Sequence, residues 1–248
     1  MDEKDEMLFL DSVYDGHFFV RNGSANLPKL VFKFNEKELV YSFFSGLGGA
    51  AKGVNTAKFL ENISYFCMAK TCEEVVELQK LTKMSKPDFI AAGKKINRTY
   101  SEQYLSSEYD TANIIGENVK LWEKTVKSDN TLLKYITRDD SKVREDHKVL
   151  DGIVRRAGDQ FWDFNTPPNG DRCRCTFKVV EGEETNLKMH VREFNKKNDT
   201  DFTGVYNNDV RFDFNPAKKQ IVFSEESSYF NTWKQYNLDF KKNNGGLN

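Results

Sequence analysis

The spacing of apolar residues changes once along this chain, near residue 130, and that change limits what it can fold into. From Thr56 to about Lys127 apolar side chains recur every three or four positions, the period of a helix with one buried face. Phe59, Ile63, Phe66 and Cys67 share one such face, and Leu105, Ala112, Ile115, Val119 and Trp122 form a longer stripe within a helix expected from Glu102 to about Lys127, the longest in the chain. Beyond it, Thr131 to Thr137 reads as a strand. From Cys173 the order alternates strictly, with Cys173, Cys175, Phe177 and Val179 on one side and Arg174, Thr176 and Lys178 on the other. Helical spacing first and strand spacing afterwards specify an α+β fold: a helical N-terminal half packed beside a small, mostly antiparallel sheet.

Composition narrows the class. Of the 248 residues, 38% are hydrophobic, and 20 Phe with 10 Tyr supply enough apolar bulk for a packed core, which excludes a disordered chain. The formal net charge of −1 provides no global field toward nucleic acid or an anionic membrane. No apolar run approaches the roughly 20 residues of a membrane span. The acidic start, MDEKDEM, is unlike a secretion signal. Four cysteines are too few for a disulfide framework, so a soluble, cytoplasmic setting is expected.

Local signals set further expectations. His17–Val20 and Leu30–Phe34 read as short strands of a hairpin or extended arm, with His17 a surface residue. Gly46, Gly48 and Ala51 fit a loose dinucleotide-loop spacing, and Lys52 invites a phosphate-loop reading. The first lacks a following strand with a terminal acid, and the second lacks Ser or Thr after the lysine, leaving a helix-to-helix connector. Thr71-Cys-Glu-Glu74 has the form of a capping box opening a new helix, and Ser85 with Pro87 opens another. Cys67 and Cys72 read as core or boundary residues, since a structural zinc site would want four ligands. Val210–Phe214 and Gln220–Phe223 are expected to be strands around an Asn-Pro turn. A short helix near Lys188–Phe194 carries His190 on its surface, and a helical aromatic segment runs from Tyr229 to Tyr236.

Unusual residues concentrate between Leu132 and Val180. Asp139 or Asp140 is placed to cap a helix on which Val143, His147 and Leu150 share the inward face, with Asp140 and Arg144 a turn apart. Asp151-Gly152 ends it. Pro167-Pro168-Asn169-Gly170 forces a tight turn into the cysteine strand. If strand and helix pack together, His147 meets both cysteines. Three readings then stand. In one, His147, Cys173 and Cys175 bind zinc, with Asp140, Asp151 or water as fourth ligand. In another, a cysteine is a nucleophile activated by His147. In the third, the cysteines are small core residues around a hydrogen-bonded histidine, the default given how often cysteine is buried.

The same residues carry a resemblance. Tyr135, Thr137, Asp140, Val143, Arg144, His147, Leu150 and Gly152, then Phe161-Trp162-Asp163, then Pro167-Pro168-Asn169-Gly170 and Cys173-Arg174-Cys175 resemble, in order and gaps, the signature of the phage Mu protein F family of minor head, or head morphogenesis, proteins. The segment Tyr104–Ala112, the run Asp213–Ile221 and the pair Tyr229-Phe230 are similar to the family's flanking regions, so that the resemblance covers about residues 55–235. Asp171 stands where relatives often carry an aromatic residue. The division that follows is an N-terminal extension or arm over 1–50, a helical region over 51–130, a Mu F-like α+β module over 131–235 and a flexible tail over 236–248.

The resemblance implies a structural component of the virion, made in the host bacterial cytoplasm and placed at the capsid interior or portal vertex. Its partners would be the portal protein and also scaffold or major capsid protein, with no membrane and no catalysis of its own. A rival is a toxin-like or hydrolytic effector using His147 with Cys173 or Cys175, although no further toxin domain is evident after residue 180. A third reading is a portal-associated protein contacting DNA. Between Thr137 and Lys178 nine basic residues face eight acidic ones, so any such contact would be weak. Zinc is the cofactor the module would hold, if it holds one.

Overall fold

A computed structural model describes residues 1–49, 54–205 and 209–238. In chain order the elements are α1 (Glu3–Tyr14), β1 (Phe19–Arg21), β2 (Ser24–Asn26), α2 (Lys29–Leu47), α3 (Thr56–Gln79), α4 (Lys86–Arg98), a π-helical turn (Thr99–Tyr104), α5 (Leu105–Thr125), β3 (Leu132–Ile136), α6 (Glu145–Lys148), β4 (Val154–Arg156), α7 (Phe161–Asn165), β5 (Thr176–Val179), α8 (Leu187–Asn198), a 3₁₀ turn (Val210–Phe212), α9 (Pro216–Lys219) and α10 (Ser228–Gln235). The fold is α+β, as the change of period requires. The chain divides into two compact units: Met1–Tyr41 with Ala57–Tyr109 and the residues from Glu225 onward, and Ser42–Thr56 with Asp110–Ser224.

The first unit is helical and centred on α3, in which every residue from Phe66 to Cys72 is buried. A helix buried on all sides must satisfy its polar side chains internally, and this one does. Thr71 Oγ1 donates to the Cys67 carbonyl, Lys70 Nζ pairs with Glu108 at 2.6 Å, and Glu74 accepts from Asn97 Nδ2 at 2.8 Å. The expected capping box at Thr71 is therefore overturned. Packing on all sides carries α3 straight through it, which makes α3, at 24 residues, longer than the 21-residue α5. Ser85 does cap α4, accepting from the Asp88 amide. The hairpin exists, but as Phe19–Arg21 against Ser24–Asn26. Leu30–Phe34, expected as its second strand, lies in α2, where Val31, Phe32 and Asn35 are buried at helical spacing. In α10, Tyr229 and Trp233 are buried, and Tyr229 meets Phe66 edge-on at 5.2 Å.

Burial has a consequence for Glu74. Desolvation pushes its carboxyl up from 4.5 to about 7 against the opposing pull of Asn97 and Lys70. The folded state thus holds this proton more tightly than the unfolded state, so the contribution of Glu74 to stability is fully present below about pH 4.5 and is lost as pH rises through about 7. Glu74→Gln, which keeps an acceptor for Asn97, is expected to abolish this slope. It should exceed wild type by up to about 3 kcal/mol above pH 7, as checked by urea midpoints measured from pH 5 to 8.

The second unit carries the three-stranded antiparallel sheet, in the order β4-β3-β5. Its register sets Leu133 opposite Val179 and Tyr135 opposite Phe177. Leu133, Tyr135 and Phe177 are buried, and Trp162 from α7 stacks on Tyr135 with ring centroids 6.4 Å apart. Trp122 of α5 meets the edges of both Phe177 and Trp162. Val179, expected on the inward face, is 47% exposed, because β5 ends there. Val210–Phe214 and Gln220–Phe223 are not strands. The buried Asn215 accepts from the Ala217 and Lys218 amides, so the Asn-Pro pair opens α9 instead. Of the glycine-loop residues, Gly46 lies inside α2 and Gly48 just beyond it, while Ala51 and Lys52 fall outside the described residues, as does the tail from 239.

Candidate functional site

The site is built where β3, the segment after it and the approach to β5 converge. β3 ends at Ile136. Thr137 then anchors the chain by donating its amide and its hydroxyl to Asp151 Oδ1, at 2.7 and 3.0 Å. Gly152, at φ +80°, returns the chain to the sheet by donating to the Tyr135 carbonyl. A side chain would resist that conformation. Between these anchors helix α6 is a single turn, begun at Arg144 without a side-chain cap. The long capped helix expected from Asp139 or Asp140 does not form. Asp139 is left-handed at φ 50°. Asp140 instead takes a two-pronged ion pair from Arg174, at 2.7 and 2.8 Å, which lowers its pKa to about 2. The expected Asp140–Arg144 pair is replaced: Arg144 Nη2 donates to the Asp171 carbonyl at 2.8 Å. It lies against Gly170, where a Cβ would come within 2.8 Å of the guanidinium.

The single turn suffices to bury His147, which is 4% exposed. Its Nε2 lies 3.2 Å from the Asn169 carbonyl, and its Nδ1 lies 3.6 Å from Cys173 Sγ and 3.7 Å from Cys175 Sγ. The turn that presents Asn169 contains a cis Pro167-Pro168 bond. Donation from Nε2 to that carbonyl leaves the Nδ1 lone pair facing the two sulfurs. The Asn169 amide and His147 also hydrogen-bond to Cys173, and the Tyr135 hydroxyl to Cys175. Trp162 completes the frame, its Nε1 donating to the Arg155 carbonyl at 3.2 Å.

These contacts sort the thiols. A hydrogen bond from Cys175, with help from His147, holds the Cys173 thiol below its ordinary value although burial works the other way. Cys175, donating to Cys173 inside the same buried cluster, is pushed far up. Burial opposes charge on His147, but the hydrogen bond and negative charge of Cys173 outweigh it and raise its pKa. Cys67 and Cys72 behave as buried core residues. Desolvation raises Cys67 well above its usual value and Cys72 to about 12.

His147, Cys173 and Cys175 thus come together, their donor atoms all within 4.8 Å of one another. Asp140 and Asp151 do not join them, since Arg174 and Thr137 engage their carboxylates. Two contributors escaped the reading of the residues. Asn215 Nδ2 reaches the Trp162 carbonyl and Thr166 Oγ1, at 3.2 and 3.0 Å, tying the later part of the module to its centre. His190, expected at the surface, is half-buried with Nε2 2.8 Å from the Val149 carbonyl. The spacing of an isolated Asn or His signals neither contact.

The open side of the cluster is a cavity of about 510 Å³. Arg138, Lys142, Arg144, Arg172 and Arg174 line it against a single carboxylate, Asp171, which Arg211 engages at 2.9 Å. Elsewhere on the module Arg155 pairs with Asp159 and Arg156 with Glu184. None of the described helices is long and apolar enough to cross a membrane.

Comparison with known proteins gives one similarity. No curated protein and no solved structure matches the chain. Residues 70–178 match the family model described as Phage Mu protein F like protein. The match takes in Lys70 on α3, all of β3 and the whole His147–Cys175 cluster. It is narrower at both ends than the 55–235 expected, leaving Asp213–Ile221 and Tyr229-Phe230 outside. Residues 70–178, a little under half of the chain, are therefore similar to the Phage Mu protein F like proteins, a family that points to phage head morphogenesis.

Proposed function

We propose that this chain is a structural minor head protein of a tailed bacteriophage, held at the portal vertex or capsid interior by contacts with the portal protein and with scaffold or major capsid protein. The observation that carries the reading is how the matched motif uses its residues. Tyr135, Trp162, Asn169, Cys173 and Cys175 are buried, Thr137 and Arg144 are spent on Asp151 and the Asp171 carbonyl, and Gly152 and Gly170 serve backbone geometry. A motif consumed in its own packing specifies a scaffold. Weak DNA contact is the lesser reading, since Arg155, Arg156, Arg172 and Arg174 each have a carboxylate partner. A toxin-like or hydrolytic effector is favoured by one observation, the approach of Cys173 Sγ to within 3.6 Å of His147 Nδ1.

The test is co-purification with tagged portal protein from infected cells. Retention through washes at about 1 M salt, where the Debye length falls to about 3 Å, is the expected result. Loss of the chain between low and moderate salt would support tethering by nucleic acid instead. Rapid alkylation of Cys173 by a neutral thiol reagent, together with hydrolytic activity that alkylation removes, would support the effector.

A further inference from the structure

We propose that His147 Nδ1, Cys173 Sγ and Cys175 Sγ bind one Zn²⁺ ion whose fourth position opens into the basic cavity and exchanges between water and an oxyanion. The inference does not depend on a role in the phage head.

Separation is the first support. In tetrahedral zinc coordination, Zn–S of about 2.3 Å and Zn–N of about 2.0 Å place sulfur and nitrogen about 3.5 Å apart. The two Nδ1–sulfur distances are 3.6 and 3.7 Å. Both nitrogen–sulfur edges of a coordination polyhedron thus already stand, and the sulfur–sulfur edge, within 4.8 Å, closes on binding.

The outer partners are those a metal needs. A ligating imidazole usually donates its other N–H to a carbonyl or carboxylate, which fixes tautomer and ring plane. Here Nε2 faces the Asn169 carbonyl at 3.2 Å. Thiolate ligands are stabilised by N–H and O–H donors, and the Asn169 amide and the Tyr135 hydroxyl reach Cys173 and Cys175 respectively. Without an ion, two sulfurs compete for one imidazole lone pair. With it, each donor has a place. Binding replaces the thiol protons, which leave to solvent, by the cation.

The third support is the open face. Among the described residues no fourth ligand joins the three, and all three line the cavity. Zinc with two thiolates and a neutral imidazole carries no net charge. A fourth ligand is therefore selected by what surrounds it. On the rim Arg172 and Arg174 are paired with Asp110 and Asp140. Arg138, Lys142 and Arg144 stand beside Asp171, which Arg211 engages, and that balance favours an anion. Three protein ligands with one open position distinguish such a site from the closed four-ligand structural kind.

The experiment uses the full chain, purified without chelator. One zinc per chain is expected by elemental analysis, retained in Cys67→Ser and lost in Cys175→Ser and His147→Gln. Co²⁺ added to metal-depleted wild type should give the thiolate-to-cobalt charge-transfer band and the intense visible bands of a tetrahedral site. Inorganic phosphate should shift the visible bands. Should the cluster variants fail to fold, wild type still decides: Zn²⁺ is expected to slow alkylation of Cys173 and Cys175 at least about tenfold, read peptide by peptide. Wild-type protein that is folded and metal-free, gives no cobalt bands and shows no protection overturns the site. Cobalt bands indifferent to phosphate and to other anions overturn the open position.

Discussion

Gly116→Ala is expected to destabilise the second unit by about 3 kcal/mol and Gly116→Val to leave it unfolded at room temperature. Gly116 lies on α5, where that helix crosses the end of α2. A Cβ there would sit 2.3 Å from the Phe43 carbonyl oxygen and 3.0 Å from the Leu47 nitrogen. Reciprocally, a Cβ on Gly46 would sit 2.0 Å from the Asn113 carbonyl oxygen. All of these are backbone atoms, so no side-chain rotation relieves the clash, and the Asn113 side chain adds a bond to the Ser42 carbonyl at 3.2 Å. The sign of the alanine result is diagnostic. In an exposed helix, Gly→Ala gains about 1 kcal/mol; here the crossing should reverse it. Urea unfolding followed by tryptophan fluorescence, with Trp122 and Trp162 both in this unit, gives the measurement. A variant as stable as wild type would show that the helices can part without cost, and the close crossing would have no energetic role.

That crossing also explains a signal whose meaning was ambiguous in sequence. Gly46 resembled the first glycine of a nucleotide loop, because glycine is selected wherever a backbone is approached closely, whether by a phosphate or by another helix. Spacing alone does not separate the two. Other features were legible for equally specific reasons. The β3 strand was legible, and Ser85 with Pro87 marks a helix start. The alternation that put Cys173 and Cys175 on a strand holds only from Thr176, where β5 begins. Both cysteines thus precede the strand, although they are buried with Phe177. Three misreadings share one cause. Thr71-Cys-Glu-Glu74 has a cap's residues, but burial on every side continues the helix past them. Asp140 has an N-cap's position, but a two-pronged arginine partner more than thirty residues away holds it better. Leu30–Phe34 has a strand's composition, yet it sits at the start of a long helix. In each, tertiary structure outweighed a local preference worth about 1 kcal/mol. The meeting of His147 with the cysteines was accessible from the spacing of apolar residues, although the helix is a single turn and both cysteines precede β5. The Asn169 carbonyl behind the histidine was not, since nothing in a Pro-Pro-Asn-Gly run says which carbonyl will point inward.

Lys70→Ala is expected to cost the helical unit about 3–5 kcal/mol. The Lys70 side chain is fully buried, and its ammonium lies 2.6 Å from Glu108 Oε2. The other oxygen of Glu108 accepts from the Tyr229 hydroxyl at 2.7 Å, so one carboxylate joins three helices of this unit: α3, α5 and α10. Removing the ammonium strands a nearly buried carboxylate whose remaining partner is a neutral hydroxyl, and desolvation then dominates. The penalty comes from the orphaned charge more than from a lost attraction. Lys70→Met combined with Glu108→Gln should therefore recover most of the loss, because methionine fills the lysine's volume and the glutamine oxygen still accepts from Tyr229. A double-mutant cycle separates the two accounts. If Lys70→Met alone is as stable as the double variant, the buried carboxylate tolerates isolation and the ion pair holds nothing together. If Lys70→Met is several kcal/mol worse and Glu108→Gln repairs it, the pair is what lets α3 run buried on every side.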